Sequence, residues 1–291
     1  MSYRVDNAIV MAAGVSSRFA PLSHEMPKAL IPVRGEPLLE RELRQLRDAG
    51  VPQIILVTGY MAERFAYLQQ KFGVILVHNP AYSVRNNHSS IFAAREYLGN
   101  SYICSADNYF TDNPFEAEVD DAYYAALYAD GETKEWCMQE GPDGYVNRVT
   151  IGGKNAWYML GHVFWNEAFS RRFLDILTAE YDLPETKDRL WEAIYMRHLD
   201  ELKLRIRRYA PDFIFEFDTL DELREFDPSY CGDTRSPILK RIAAELSCTE
   251  ADLREIRAVK GADGISAAGF TFTCRNEHFE YNYLRKGWKK L

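Results

Sequence analysis

The sequence lacks any long run of apolar residues and any excess of positive charge. No stretch of its 291 residues approaches the roughly 20 apolar residues of a transmembrane helix. The opening residues also lack the apolar core of a signal peptide. The 35 Lys and Arg residues oppose 43 Asp and Glu residues, a formal net charge of −8. We therefore expect neither a membrane nor a nucleic acid as partner, because nucleic-acid binders need a basic surface.

Cysteine is scarce and scattered. The five cysteines are odd in number and form no CxxC pair, which argues against a zinc site or a disulfide framework. We expect reduced thiols in a cytoplasmic protein. Hydrophobic residues at 47% and charged residues at 27% are typical of a globular chain with a sizeable core.

Two common nucleotide-binding fingerprints are also missing from the first loop of the chain. The apolar residues 8–11 predict a short buried strand, and the small residues 12–17 predict a turn after it. No Gly-Lys-Ser/Thr follows, and Gly14 is the only glycine there, so the turn is neither a P-loop nor a dinucleotide fingerprint. Small residues still let backbone amides approach phosphate, and Arg18 and Lys28 add positive charge. These residues predict a polyphosphate pocket, the alternative being an ordinary loop with two surface cations.

Strands and helices alternate through the first third of the chain, which predicts a doubly wound parallel sheet. Ligands of such sheets lie beyond the carboxyl ends of the strands. Gly14 and Asp107 fall at such ends and Asn87 lies in a loop beyond one, so we expect them to converge. Predicted strands are at 8–11, 53–57, 74–77 and 101–106, with helices at 37–49 and 61–71.

Beyond residue 122 the pattern changes to a series of shorter strands and then helices. Strands are predicted at 123–128, 135–139, 145–151, 156–165, 204–209 and 213–217, and helices at 166–180, 188–198 and 220–226. Residues 228–237 are dense in turn formers and predict a linker. This divides the chain into a domain of residues 1–228 and an appendage of residues 229–291. The appendage is predicted to hold helices at 238–246 and 250–256 and a hairpin of 270–274 with 279–284.

Carboxylates stand where a divalent metal could use them. Asp107 ends the predicted fourth strand, and Glu216 and Asp218 alternate with phenylalanines in FIFEFD, so both point to one face of a strand. Magnesium prefers such oxygen ligands, completed by phosphates and water. The plainer alternative is that Glu216 and Asp218 are the solvated face of an edge strand.

Three longer strings carry a resemblance to a known superfamily. Residues 11–33 resemble the nucleotidyltransferase signature (L/M)AAGxGxRxxPLTxxxPKxLxPV, with Ser16 in place of its second glycine. ADNY at 106–109 and FEFDTLDEL resemble the metal-binding segments of the same superfamily. The resemblance implies a Rossmann-like doubly wound mixed sheet of the nucleotide-diphospho-sugar transferase type, here with a small α+β appendage at the C-terminus.

Further strings narrow the resemblance. NPAYSVRNNHSS at 79–90, EW at 135–136, GHVFW at 161–165 and LWE at 190–192 resemble the bacterial CTP:phosphocholine cytidylyltransferases, with a likeness over about residues 7–226. The resemblance implies a Mg2+-dependent enzyme that joins CTP to phosphocholine, releasing pyrophosphate. It implies that Asp107 and Asp218 bind magnesium, and that Arg18 and Lys28 hold the CTP phosphates and stabilise the charge of the transition state. It places Ala12, Ala13, Gly14, Asn87 and Ser89 at the nucleotide, and Trp136, Trp191, Glu192 and Glu216 at the acceptor.

The sequence leaves the identity of the acceptor open. Leu190 stands where choline binders of the family often have an aromatic residue, so 2-aminoethylphosphonate and phosphoethanolamine compete with phosphocholine. Sugar-1-phosphate nucleotidylation and a non-catalytic nucleotide sensor are the further alternatives. The oligomeric state is not predicted.

The C-terminal residues carry a second resemblance. From ILKRIAAELS onward they resemble the opening of the choline/ethanolamine kinase family. No HxD catalytic loop follows, so we predict no kinase activity. A remnant, a lid and a dimer element are all compatible with the sequence.

Overall fold

A computed structural model of the protein describes residues 2–291. These residues group into two compact units. The first contains the residues up to Gly14 together with Arg41–Phe215, and the second contains Val15–Glu40 together with Glu216–Leu291. The boundary at 228/229 that the sequence predicts falls inside the second unit.

The first unit is built on a mixed β-sheet with the strand order β7-β5-β6-β4-β1-β2-β3. Strand β1 pairs in parallel with β2 and β4, and β2 with β3, which confirms the predicted doubly wound core. Strand β6 runs antiparallel to both β5 and β4, so the sheet is mixed. In chain order the strands are β1 (Asn7–Ala12), β2 (Ile54–Thr58), β3 (Ile75–His78), β4 (Ser101–Ser105), β5 (Tyr123–Glu140), β6 (Val146–Trp165) and β7 (Arg205–Arg208).

Strands β5 and β6 are longer than the sequence predicts. Four separate strands are predicted over this region, whereas β5 and β6 have 18 and 20 residues. The register between them shifts at several bulges. A bulge interrupts the alternation of side chains without ending the strand, so the sequence pattern breaks where the ladder continues.

Helices occur in both units. In chain order they are α1 (Leu22–Glu25), α2 (Leu38–Asp48), α3 (Tyr67–Phe72), α4 (His88–Ala93), α5 (Glu167–Glu180), α6 (Trp191–Tyr195), α7 (Leu220–Phe226), α8 (Ser229–Gly232) and α9 (Pro237–Glu245). Helix α5 is capped by Asn166, whose side chain accepts from the Phe169 amide. No helix of residues 2–291 has the length and apolar character to cross a lipid bilayer.

The core of the first unit is strongly aromatic where α5 and α6 cover the sheet. Trp165 lies 4.6 Å from Phe173 and 5.2 Å from Trp191, measured between ring centroids. All three side chains are buried. Burial of each such side chain contributes about 1.5–3 kcal/mol, so this cluster fixes the start of α6, where two predicted acceptor residues lie.

The second unit combines the loop after Gly14 with the C-terminal residues. Its main sheet has the order β8-β9-β10-β11. The strands are β8 (Arg254–Lys260), β9 (Ala267–Cys274), β10 (Glu277–Asn282) and β11 (Gly287–Lys290). The hairpin predicted at 270–284 is present, with a strand added on each side.

The helix predicted at 250–256 is wrong. Its first residues form only the 3-10 turn Glu250–Asp252, held by a capping box at Thr249. Leu253 and Ile256 are spaced three apart, which imitates a helical stripe, and both are buried. The pairing of β8 with β9 overrides this local pattern, because β propensity depends on cross-strand partners that the sequence does not display.

Candidate active site

The loop after β1 opens at the carboxyl edge of the sheet. The Ala13 carbonyl accepts a hydrogen bond from the Tyr60 amide at 3.1 Å, which ties the loop to the end of β2. Gly14 is exposed, and a Cβ built on it would meet no atom within 4 Å. The backbone of Gly14 is therefore open to a ligand, as the nucleotide assignment of Ala12, Ala13 and Gly14 requires.

Asp107 lies at the same edge, in the turn that follows β4. The amide of the preceding residue, Ala106, donates to the Met11 carbonyl of β1 at 3.3 Å. This bond places Asp107 beside the end of β1, where the sequence predicts it. The side chain is only partly buried, which leaves its carboxylate accessible to a cation.

A carboxyl that sequence reasoning missed, Glu42, lies in the surroundings of Asp107. It is 1% exposed on α2. Burial raises the pKa of Glu42 well above its usual range, and the charge of Asp107 raises it further, while a hydrogen bond with Cys104 opposes the rise. A signal was available, because Glu42 occupies a position on the leucine-rich buried face of α2.

Asn87, Trp191 and Glu192 are joined by hydrogen bonds. The Asn87 amide nitrogen donates to Glu192 Oε2 at 3.2 Å, and Asn87 Oδ1 accepts from the Trp191 backbone amide at 2.7 Å. The Tyr124 hydroxyl donates to Glu192 Oε1 at 3.2 Å. Burial raises the pKa of Glu192 to about 7, and the two hydrogen bonds hold it lower than burial alone would. Sequence reasoning missed Tyr124, which nothing in its strand distinguishes from the neighbouring Tyr123.

Ser89 is placed as a structural hydroxyl. It is 1% exposed, donates to the Asn86 carbonyl at 2.8 Å and accepts from the Asn79 amide at 2.9 Å. Asn79 is itself buried and was not predicted. Ser89 and Asn79 together fix the turn before α4. The nucleotide-binding role of Ser89 stays a prediction, and because its hydroxyl is buried, Ser89 would act by shaping this loop.

The two predicted tryptophans differ in placement. Trp191 is 2% exposed and stacks on the Tyr124 ring at 5.7 Å between centroids. Trp136 lies on β5 opposite Ile151 and is partly buried. Both acceptor assignments stay predictions, with Trp136 offering more accessible surface.

In the second unit, the two predicted cations lie against the two predicted carboxylates of FIFEFD. Arg18 Nη1 is 2.6 Å from Asp218 Oδ2, with side chains 75% and 37% exposed. Lys28 Nζ is 4.0 Å from Glu216 Oε1, and the Lys28 side chain is 5% exposed. The sequence marks all four residues as candidates for the site, and Arg18 and Asp218 meet although they lie 200 positions apart in the chain. The roles of the four residues stay predictions.

Local backbone features hold this cluster. Ser16 has φ of 49°, in the left-handed region. This explains why the superfamily signature favours glycine there, since a side chain at such φ costs about 1 kcal/mol or more. Asp218 directly precedes the Thr219 cap of α7, and its amide donates to Glu222 Oε2 at 2.7 Å.

The donor chemistry suits a hard divalent cation. No group of three or more His, Cys, Asp and Glu side chains within residues 2–291 is arranged to hold a metal. Magnesium does not need such a cage, because it is commonly bound by one or two carboxylates together with substrate phosphates. Asp107 in the first unit and Asp218 in the second are each an accessible oxygen donor of that kind.

The mixed sheet with an open small-residue loop after its first strand is the architecture of a nucleotidyltransferase. Residues 8–136 match the MobA-like NTP transferase domain family. The chain is 31% identical to the choline-phosphate cytidylyltransferase of Streptococcus pneumoniae over 220 residues, which cover 76% of this chain and 96% of that protein. It is 34% identical to the 2-aminoethylphosphonate cytidylyltransferase of Lancefieldella rimae over 234 residues, covering 79% and 95%. The chain belongs to this family of bacterial cytidylyltransferases.

A solved structure supports the same assignment. The CTP:phosphocholine cytidylyltransferase of Streptococcus pneumoniae superposes with a TM-score of 0.74 at 31% identity, covering 78% of this chain and 99% of that one. The inositol-1-phosphate CTP transferase of T. maritima shares the fold, with a TM-score of 0.59 at 16% identity. More than a fifth of this chain has no counterpart in the first of these structures.

Proposed function

We propose that this protein is a Mg2+-dependent cytidylyltransferase that joins CTP to phosphocholine, giving CDP-choline and pyrophosphate. The observation that carries this proposal is the 31–34% identity to cytidylyltransferases over at least 95% of their length. The five thiols are all unpaired, which supports a reducing, cytoplasmic setting.

The reaction requires the protein to bring two anions together, CTP and the acceptor phosphate. A phosphate oxygen of the acceptor attacks the α-phosphorus of CTP, and the bond from that phosphorus to the bridging oxygen breaks as pyrophosphate leaves. We assign Arg18 and Lys28 to the triphosphate, where their positive charge offsets the charge that develops on the leaving group. Asp107 and Asp218 would hold a magnesium ion, which would supply further charge neutralisation on the phosphate oxygens.

We assign the ammonium of the acceptor to the Glu192 region. A carboxylate attracts a cation by charge, and aromatic faces add a cation–π contribution. Glu192 supplies the carboxylate. Trp191, which directly precedes it in sequence, and Trp136 of β5 are the aromatic candidates, and Glu216 is a further carboxylate candidate. The bonds from Asn87 and Tyr124 fix the orientation of the Glu192 carboxylate.

A second candidate acceptor is 2-aminoethylphosphonate, with phosphoethanolamine as its phosphate analogue. Two observations favour it. One relative at 34% identity carries that activity in its name, and Leu190 contributes no aromatic face at the start of α6. A primary ammonium also has N–H groups that a carboxylate accepts, whereas a trimethylammonium has none.

The test is pyrophosphate release from CTP with Mg2+ and each of phosphocholine, phosphoethanolamine and 2-aminoethylphosphonate. We expect turnover with at least one, and the ratio of kcat/KM values identifies the acceptor. Glucose 1-phosphate is the control, because sugar-1-phosphate transfer predicts that it is the best acceptor. Nucleotide binding without turnover of any acceptor would instead support the sensor alternative.

A further inference from the structure

The C-terminal segment, defined as residues 229–291, contacts the loop that carries Arg18 and Lys28. The turn Ser17–Phe19 lies against strand β8. The His24 ring stacks on the Tyr283 ring with centroids 3.7 Å apart and planes 9° from parallel. Glu25 Oε1 accepts from the Ile238 amide at 3.0 Å. The loop is therefore held on the C-terminal segment at both of its early turns.

The later part of the same loop is held as well. The Tyr230 hydroxyl donates to the Pro32 carbonyl at 2.6 Å, and Arg235 Nη1 donates to the same carbonyl at 3.3 Å. Tyr230 is fully buried, so its hydroxyl is fixed in direction. These bonds fasten the chain four residues after Lys28.

A buried arginine ties the Asp218 side of the cluster to the C-terminal segment. Arg224 lies on α7, the helix that begins directly after Asp218 and its capping Thr219, and its side chain is 1% exposed. Its guanidinium donates to the carbonyls of Leu253 at 2.6 Å, Glu250 at 2.8 Å and Tyr230 at 3.4 Å.

The charge of Arg224 is compensated locally. Asp221 accepts from Arg224 Nη1 at 3.1 Å and from the Glu255 amide at 2.9 Å. Burial lowers the pKa of Arg224, and Asp221 opposes that change. A buried cation satisfied mostly by backbone carbonyls of one segment specifies the position of that segment tightly, because any shift leaves charge unpaired.

We propose that the C-terminal segment is a positioning element of the nucleotidyltransferase site, and that Arg224 of α7 is the main positioning residue that holds the Asp218 side of the site to this segment. The inference rests on the proposed function of Arg18 and Asp218. Their ion pair is mostly exposed, and exposed pairs do little to fix their own geometry. The backbone on each side of the pair is instead held by the C-terminal segment, so this segment sets where the triphosphate cation and the metal carboxylate stand.

The experiment uses the full chain with Arg224→Met, Arg224→Lys and Tyr230→Phe, the last of which removes only the hydroxyl that reaches Pro32. For each variant, kcat, the KM for CTP, the Mg2+ concentration at half-maximal rate and the KM for the acceptor are measured. We expect Arg224→Met to raise both the Mg2+ concentration at half-maximal rate and the KM for CTP about tenfold, the lower end of outer-shell effects on metal sites. The acceptor KM should stay unchanged. Arg224→Lys should raise these two quantities less than Arg224→Met does, and Tyr230→Phe should raise the KM for CTP by a smaller factor.

The matched control is Arg241→Met. Arg241 is half-exposed and donates to the Tyr281 hydroxyl at 2.6 Å and the Lys286 carbonyl at 3.1 Å, all within the C-terminal segment. We expect its kinetic constants to equal those of the unaltered protein.

The inference would be overturned if Arg224→Met left the KM for CTP and the Mg2+ concentration at half-maximal rate unchanged and lowered only the melting temperature or the active fraction. Should Arg224→Met not fold, Tyr230→Phe decides by the same criterion. Calorimetric binding of Mg2+–CTP gives the comparison without turnover. An inactive unaltered protein that still shows the binding difference would refute the proposed function and leave the inference standing.

Discussion

The pKa of Glu192 offers a quantitative test of the acceptor site. If the ionised carboxylate holds the acceptor ammonium, acceptor binding must weaken as the pH falls through the pKa of about 7. Replacement by glutamine keeps the size of the side chain and removes its charge and its titration. The perturbation is therefore Glu192→Gln, compared with the unaltered protein between pH 6 and pH 8.

The magnitude follows from this pKa. A carboxyl with a pKa of about 7 is about 90% ionised at pH 8 and about 10% at pH 6. We expect the acceptor KM of the unaltered protein to rise by roughly tenfold over this range if only the ionised carboxylate binds the ammonium, and by less if the protonated carboxyl binds it too. Glu192→Gln should have a weaker affinity at pH 8 and no such dependence.

The assay is the acceptor KM from pyrophosphate release at saturating CTP and Mg2+. The acceptor phosphate itself titrates near pH 6, so the ratio of KM values between variant and unaltered protein is the quantity to follow. Glu201→Gln serves as control, because Glu201 is paired with Arg172 at the surface of the same unit. A ratio that stays constant from pH 6 to pH 8 would show that Glu192 does not bind the acceptor as a carboxylate.

Further predictions concern metal, triphosphate, core and stability. Asp107→Ala should lower turnover by about two orders of magnitude or more with an unchanged circular dichroism spectrum, since this side chain is not packed in the core. Arg18→Ala should raise the KM for CTP and change the unfolding free energy by no more than about 0.5 kcal/mol, because its side chain is 75% exposed. Trp191→Ala should destabilise the protein by about 3–5 kcal/mol in chemical denaturation, because Trp191 is 2% exposed. The raised pKa of Glu192 means that the folded state binds this proton more tightly, so stability falls relative to Glu192→Gln as the pH rises from about 4.5 to about 7, by up to about 3 kcal/mol.

The parallel core could be predicted because it has a local signal, whereas the sequence marks Arg18, Lys28, Glu216 and Asp218 as candidates without showing how they pair. Short apolar runs separated by amphipathic stretches specify βαβ units. The alternation in FIFEFD predicts Glu216 and Asp218 on one face of a strand, whereas the strand ends at Glu216 and Asp218 lies beyond it. The two carboxylates lie beside Lys28 and Arg18. Only the signature string, matched as a whole, indicates that the opening loop is the partner.

Other features depend on partners distant in the chain. The Tyr124 hydroxyl reaches Glu192 only because β5 passes beside α6. No sequence pattern around Tyr124 predicts this contact. In the sequence DELREF, nothing distinguishes Arg224 from the other charged residues. In the structure it is buried and donates to the carbonyls of Tyr230 and Leu253. The strand β8 likewise exists through its pairing with β9, which the helix-like spacing of Leu253 and Ile256 conceals.

The division of the chain was the least predictable feature. Turn-forming residues between 228 and 237 imitate a linker, but Tyr230, Thr234 and Ser236 are buried there. Turn chemistry specifies where the backbone changes direction and carries no information on whether that turn is covered. The loop after Gly14 joins the C-terminal residues in one unit, a grouping that no local composition shift marks.

The central claim is that the chain transfers a cytidylyl group to an aminoalkyl phosphate or phosphonate. The most direct measurement is pyrophosphate release from CTP and Mg2+ with phosphocholine, phosphoethanolamine and 2-aminoethylphosphonate, each with and without a chelator. The account predicts chelator-sensitive release with at least one of the three and little with glucose 1-phosphate. Absence of release with all three, from protein that is folded by circular dichroism, would contradict it.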